Sequence, residues 1–336
     1  MDDATARLKR TPVGGEETSF TASPAFSILF DAEITPISAA LIRERHKLEL
    51  RARIAQIAIM LVAAITIAAN IGLMMSGSEH VTIGFGLSFL LFGAAFGNRK
   101  VIHGQYLVRL KEKVVPSILA HYGDFSYTPK PPRSVFKEMT TPELLPSFNG
   151  LRIEDFICGT YHGHPVSMLD TTLTQKSRDR SKTVFSGLVI KTPSQYPFTG
   201  SYALYPNSGT SGRYQGYFRN LTAWETIKLE SSDFEDHFDF LGSDQMEGRT
   251  IFTPARMEKW YQFSQAFASN SLSAIFKNGT IFIAYKMPQN WIDGGILSQP
   301  ADELRQQVAQ VARDIHTALR AVDILIHDQN EQPGPF

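Results

Sequence analysis

Residues Ile54 to Met75 and Val81 to Gly97 contain no ionisable side chain, and only Ser76 to His80 lie between them. A helix rises about 1.5 Å per residue and a bilayer's hydrocarbon core is about 30 Å thick, so the first run is long enough to span and the second nearly so. Arg43, Arg45, Lys47, Arg51 and Arg53 precede the pair, and Arg99, Lys100, Arg109, Lys111 and Lys113 follow it. The intervening turn carries neither Lys nor Arg. The positive-inside rule then places both long ends on the cytoplasmic side of a multi-pass anchor. Gly72, Gly84, Gly86, Gly93 and Gly97, with Ala94 and Ala95, would let two such helices approach closely. The pattern predicts a transmembrane helical hairpin with spans at about 54–75 and 81–97.

The hairpin organises the rest of the chain. Residues 1–32 form a polar tail without the apolar stretch of a signal peptide. Thr35-Pro36 is a helix start, and Leu107, Leu110, Val114, Ile118 and Leu119 recur at helical spacing after the second run, interrupted by Pro116. Residues 33–125 therefore read as the hairpin with a cytoplasmic helical stalk. Pro129, Pro131, Pro132, Pro142 and Pro146 mark residues 126–147 as a semi-rigid linker. Residues 148–327 form a cytoplasmic domain and 328–336 a short tail.

From Phe148 onward the apolar period changes from a helical one to two. Strands are expected at 153–159, 166–173, 184–191, 200–205 and 222–229. Asn278-Gly279 favours a type I′ turn pairing Phe276 with Ile281 and Ala274 with Ile283. Thr253-Pro254 starts a helix whose inner face holds Met257, Trp260, Ser264 and Phe267. The last helix repeats Leu304, Val308, Val311, Ile315, Ala318, Val322 and Leu325 at alternating steps of four and three. That seam suits either a helix lying on its own sheet, the preferred reading, or homo-oligomerisation. The expected fold is α+β: an N-terminal transmembrane helical hairpin, then a domain of short antiparallel strands, as a sandwich or partly open barrel, covered by two helices.

Composition excludes several function classes. Lys+Arg 33 balance Asp+Glu 33 and there is one cysteine, so the chain has neither the basic surplus of a nucleic-acid binder nor a disulfide framework. Cys158, His162 and His164 lack a fourth ligand for structural zinc and a positioned base for a catalytic thiol, and fit a strand turn instead. Asp233, Glu235, Asp236, Asp239, Asp244 and Glu247 fail the calcium-loop pattern, because Phe238 stands where its sixth-position Gly belongs. "PNSGTSGRYQG" is neither a P-loop nor a nucleophile elbow. Tyr214, Tyr217 and Phe218 lie between Arg213 and Arg219 without the order of an RNA-recognition motif. No catalytic residue, metal ligand or cofactor is assigned. One patch remains: Lys176, Arg178, Arg180 and Lys182 oppose a single Asp179 between two strands. Each such cation near an anionic leaflet contributes about 1 kcal/mol of attraction.

Taken together, the apolar pair, "RIEDFICGTYHGHPV", "VFSGLVI", "IKLESSDFEDHFDF", "DQMEGRTIFTPARMEKW" and "FKNGTIFIAY" resemble the bacterial domain-of-unknown-function family thirty-one thirty-seven. The resemblance runs from about Phe30 to Tyr285. It implies membrane association in a bacterium, hence the inner membrane with both termini cytoplasmic, and a LemA-type membrane protein as a conceivable partner. It supplies no catalytic residues. The expected role is a membrane-tethered binding or scaffold module that recruits a protein. The alternatives are recognition of anionic lipid headgroups by the 176–182 loop and an uncharacterised membrane-associated hydrolase.

Overall fold

Alternating apolar and polar residues build one antiparallel sheet in this chain, and two positive-φ turns set its register. The computed structural model describes residues 31–32, 35–75, 108–109, 111–177, 180–207, 224–265, 272–287, 292 and 304–326. In order these form α1 (Thr35–Met75), β1 (Gly123–Thr128), α2 (Arg133–Met139), β2 (Gly150–Tyr161), β3 (His164–Lys176), β4 (Ser181–Pro193), β5 (Tyr202–Pro206), β6 (Glu225–Thr226), α3 (Ser232–His237), β7 (Phe238–Gly242), α4 (Gln245–Ile251), α5 (Pro254–Gln265), β8 (Leu272–Lys277), β9 (Thr280–Lys286) and α6 (Leu304–Ile326). The chain divides into two compact units. One holds residues 30–114 and 297–304, including α1, and the other holds the sheet with its helices.

The sheet has nine strands in the order β1-β2-β3-β4-β9-β8-β5-β7-β6. His162 at φ 46° and Gly163 at φ 81° close β2 onto β3, and Asn278 at φ 51° and Gly279 at φ 66° close β8 onto β9. A type I′ turn needs two positive φ values, which Asn-Gly adopts with little strain. Phe276 lies opposite Ile281 and Ala274 opposite Ile283. Between Glu154 and Phe156 the extra residue Asp155, at φ 45°, makes a bulge in β2.

Both faces are covered. On one, Phe136 and Met139 of α2, with Leu144 and Leu145, pack on Leu169, Leu173, Phe185, Val189, Ala203, Tyr205, Ile275 and Ala284. The opposite face carries an aromatic cluster. Phe252 lies 4.3 Å from Phe240, 5.5 Å from Phe276 and 6.2 Å from Trp260, centroid to centroid. Edge-to-face and tilted arrangements suit aromatic quadrupoles, and full burial of each ring contributes roughly 1.5–3 kcal/mol.

Three expectations are corrected. Among the described residues no helix is long and apolar enough to cross a membrane. The transmembrane hairpin is therefore not part of the fold described: the first apolar run is the second half of one 41-residue helix whose first half is charged. A hairpin needs a second helix, and the 81–97 run lies outside the described residues. The strands form one open sheet instead of a sandwich or barrel. Residues 126–147 are not a linker, because they include the end of β1, paired with β2, and α2, whose Phe136 and Met139 are buried. The prolines there serve as the N-cap and turns of packed chain.

In the last helix, Val308, Val311, Ile315, Ala318 and Val322 of the heptad seam are buried within the single chain. Two polar contacts tie that helix to the strand side. The Tyr161 hydroxyl donates to Asp323 Oδ2 at 2.8 Å, and Tyr122 Oη lies 3.3 Å from His316 Nδ1. Tyr161 alternates with Ile157 on the face turned away from α2. Hence α6 lies over the face that α2 leaves free.

A candidate site at a cationic hairpin

The paired strands β3 and β4 reach beyond their neighbours. The last pair linking β4 to β9 is Gly187 with Lys286, whereas the β3–β4 ladder continues to Lys176 with Ser181. On the other side β2 accompanies β3 as far as Gly150 opposite Thr174. Ser177 N donates to Arg180 O at 2.8 Å and closes the turn.

Asn149 braces the base of this projection. Its Nδ2 donates to Lys176 O at 2.9 Å, and its Oδ1 accepts from Lys176 N at 2.7 Å. This side chain therefore extends the ladder by one reciprocal pair, where β2 has run out of backbone. Phe148, immediately before it, is 38% exposed and meets the Phe136 ring edge-on at 5.6 Å. An exposed aromatic thus sits beside the hairpin base.

Lys176, Arg180 and Lys182 are all exposed. Lys176 pairs with Ser181 and Lys182 with Gln175, so the two lysines project from opposite faces of the ribbon. Arg152–Glu154, Lys228–Glu235 and Lys277–Glu143 form ion pairs, and among the described residues none is seen to these three cations. Arg178 lies outside the described residues. The tip is a cationic ribbon with its charge turned to solvent.

The other chemistry-bearing stretches do not converge. Cys158 Sγ is 3.0 Å from Ser126 Oγ, His162 stacks edge-on against Tyr161 at 4.3 Å, and His164 Nδ1 lies 2.9 Å from Gln195 Nε2. Among the described residues no group of three or more potential ligands is placed to hold a metal ion. The acidic stretch 233–247 has structural roles. Asp244 caps α4 by accepting from Met246 N and Glu247 N, while Glu235 accepts from Leu229 N at 2.7 Å. Phe234, Phe238 and Phe240 are buried.

Glu247 is the most heavily bonded of these acids. It accepts from Thr199 N at 2.7 Å, Thr199 Oγ1 at 3.0 Å, Gly200 N at 2.7 Å and Tyr202 Oη at 2.5 Å. The Tyr202 hydroxyl, then the Thr199 and Gly200 amides, hold its carboxyl down at about 2 against the opposing effect of burial. Glu143 is buried on the other face, where its carbonyl accepts from Tyr205 Oη at 2.7 Å and Oε1 meets Lys277 Nζ at 3.3 Å. These joints, Asn149 and Phe148 escaped the sequence reading. Only the Asn149-Gly150 dipeptide, a turn signal before a strand, pointed toward any of them.

Residues 183–326 match the model of the family described as Protein of unknown function (DUF3137). The match starts inside β4 and ends with the last residue of α6; it takes in the final helix, and α1 and β1 to β3 precede it. No curated protein matches the chain. Among solved structures, the crystal structure of the mycobacterial trehalose monomycolate transport factor A, TtfA, is similar at 8% identity and a TM-score of 0.33, over 60% of this chain and 88% of that one. A likeness of that size carries no argument about function.

Proposed function

We propose that the protein is a binding module that docks on an anionic lipid surface through the hairpin tip, with Lys176, Arg178, Arg180 and Lys182 contacting headgroup phosphates. The observation that carries this reading is the projection of the β3–β4 ribbon past β9, with exposed cations on both its faces. A projecting tip can approach a flat surface that the body of the sheet cannot reach. Each cation held there contributes about 1 kcal/mol, and the attraction fades beyond the Debye length of about 10 Å at 0.1 M salt.

Phe148 fits the same surface. An aromatic beside cations can enter the interfacial region while the charges stay at the phosphates. Asn149 holds the ribbon in register at this point, so the charged tip is presented by a braced strand pair. Recruitment of a protein, the first expectation from the sequence, has no cluster among the described residues to support it in the same way.

The test is co-sedimentation of the full chain with vesicles of phosphatidylglycerol and, separately, phosphatidylcholine. Binding should be confined to the anionic vesicles, fall with added salt, and be lost when Lys176, Arg178, Arg180 and Lys182 are changed to Glu. Equal binding of that variant would overturn the reading.

A further inference from the structure

The chain contains two Asn-Gly dipeptides, at Asn149 and Asn278. Their chemistry is the same and their surroundings are not. Glycine has no side chain to shield its amide nitrogen, so that nitrogen can reach the carboxamide carbon of a preceding asparagine, itself a thermally labile residue. Asn278 sits at φ 51° in the β8–β9 turn, where a type I′ turn accepts aspartate as readily. Conversion to aspartate there leaves the turn as it is. That turn also lies far from the cationic tip, since Thr280 pairs with Pro193 at one end of β4 and Lys176 with Ser181 at the other.

Asn149 differs on both counts. It is exposed, its own N donates to Thr174 O at 3.1 Å, and its carboxamide makes the reciprocal pair with Lys176, donating from Nδ2 at 2.9 Å and accepting at Oδ1 at 2.7 Å. Only an amide, with a donor and an acceptor side by side, makes that pair; a carboxylate accepts and cannot donate. Aspartate at this position keeps the bond from Lys176 N but turns its second oxygen toward Lys176 O, acceptor against acceptor. Glycine at 150 is favoured by the strand pairing itself, because a Cβ there would come within 2.2 Å of Thr174 Oγ1. The labile dipeptide is thus built into the brace of the hairpin.

We propose that Asn149 is a self-modifying site, whose deamidation to aspartate or isoaspartate loosens the cationic hairpin and weakens its hold on an anionic surface. The loosening stands on the geometry alone, whereas the weakened hold rests on the lipid-docking reading. In the reaction the deprotonated amide nitrogen of Gly150 attacks Asn149 Cγ. The N–Cγ bond forms, the Cγ–Nδ2 bond breaks, and ammonia leaves with the proton. Water then opens the cyclic imide. Cleavage of its N–Cγ bond gives aspartate, and cleavage of the bond from that nitrogen to the backbone carbonyl carbon gives isoaspartate, with a main chain one methylene longer. Water is the only co-reactant, and nothing is oxidised or reduced.

Ring closure needs the carboxamide to leave Lys176, so Asn149 reacts as the base of the ribbon opens and more slowly than Asn278. Residues 176–182 carry Lys176, Arg178, Arg180 and Lys182 against Asp179, a net of three positive charges. A carboxylate at 149, beside Lys176, offsets one of them. Loss of one charge's share of the attraction corresponds to about fivefold weaker vesicle binding.

The test uses the full chain. After incubation at mildly alkaline pH and proteolysis, mass spectrometry should show amide-to-acid conversion in the peptides holding both asparagines, with Asn278 first. An Asn149 peptide that stays intact once Asn278 has converted would overturn the inference. In Asn149→Asp the Lys176 amide, and the Ser177 amide that donates to Arg180 O, should lose protection from hydrogen exchange. Unchanged protection at both would equally overturn it. Binding of Asn149→Asp to phosphatidylglycerol vesicles should be about fivefold weaker or more, while Asn278→Asp binds as the wild type does. A wild type that ignores those vesicles overturns the lipid-docking reading instead, and the mass and exchange measurements still decide whether Asn149 is the modified brace.

Discussion

The Tyr161 hydroxyl donates to Asp323 Oδ2 at 2.8 Å and joins the turn end of β2 to the last helix, across 162 positions of sequence. Burial pushes the Tyr161 phenol well above its ordinary value, and the Asp323 carboxylate adds to the effect. Tyr161→Phe removes the donor and leaves a carboxylate oxygen without it, which should lower stability by about 1–3 kcal/mol. The Tyr122 contact with His316 is longer, at 3.3 Å, so Tyr122→Phe should lower it by less, about 0.5–1.5 kcal/mol. Urea midpoints at neutral pH give both values, and equal losses would show that the Tyr161–Asp323 bond is not the stronger tie.

Glu247 should make the sheet acid-sensitive. Its folded carboxyl is held at about 2, below the ordinary 4.5, chiefly by the Tyr202 hydroxyl and the Thr199 and Gly200 amides. A depressed carboxyl contributes stability that is present above about 4.5 and lost as the pH falls toward about 2. Glu247→Gln should therefore be less stable than the wild type at neutral pH, and the difference should shrink as the pH falls through that window. Melting temperatures measured from neutrality down to about pH 2.5 would check this. A difference that did not narrow would assign the loss to geometry instead of charge.

The elements that the sequence disclosed are those whose signal is local. Asn278-Gly279 set a hairpin, Thr253-Pro254 began a helix, and period-two alternation marked β2, β3 and β4. What it hid depends on distant partners. Nothing in Gly123–Thr128 announces a strand until Phe125 lies across Gly159, a position where an added Cβ would come within 2.1 Å of Asp124 O. The short α3 and α4 exist because Ser231 and Asp244 cap them, and Asp244 read only as a member of an acidic run. The cationic hairpin was visible as charge, yet its projection past β9 is a matter of unequal strand lengths. The α6 seam read first as a helix on its own sheet and second as an interface, and its pattern alone could not exclude the second, because a heptad does not say whether the complementary surface is the chain's own sheet.

Alkaline pH should unfold the protein just beyond the ordinary tyrosine range. Burial raises Tyr122 to about 12, and Tyr161, Tyr196, Tyr202 and Tyr205 are also shifted upward, in each case first by burial. Above pH 10 the unfolded chain loses these protons while the folded chain keeps them, so fewer protons are bound in the unfolded state and stability falls as pH rises. Tyrosinate absorbance of this group should appear together with loss of circular dichroism, in one transition. Ionisation that preceded unfolding would show that these hydroxyls are open to water.

Gly187 is where the cationic ribbon parts from the rest of the sheet, and the sequence could not have flagged it. A Cβ added there would come within 2.0 Å of Tyr285 O, 2.7 Å of Met287 N and 2.9 Å of Lys286 Cα, all backbone atoms that cannot swing aside. The β4–β9 ladder is the hydrogen-bonded link between strands β1 to β4 and the remaining five. Gly187→Ala should therefore force the two groups of strands apart at one end and lower stability by roughly 1–3 kcal/mol, the usual range for overpacking. Ser186→Ala next to it loses only a long 3.5 Å contact with Thr172 and should change stability by less than about 0.5 kcal/mol. Amide exchange gives the local readout. In Gly187→Ala the Met287 amide, which donates to Ser186 O at 2.8 Å, should lose protection, and wild-type protection at that amide would show that the ladder tolerates the methyl group.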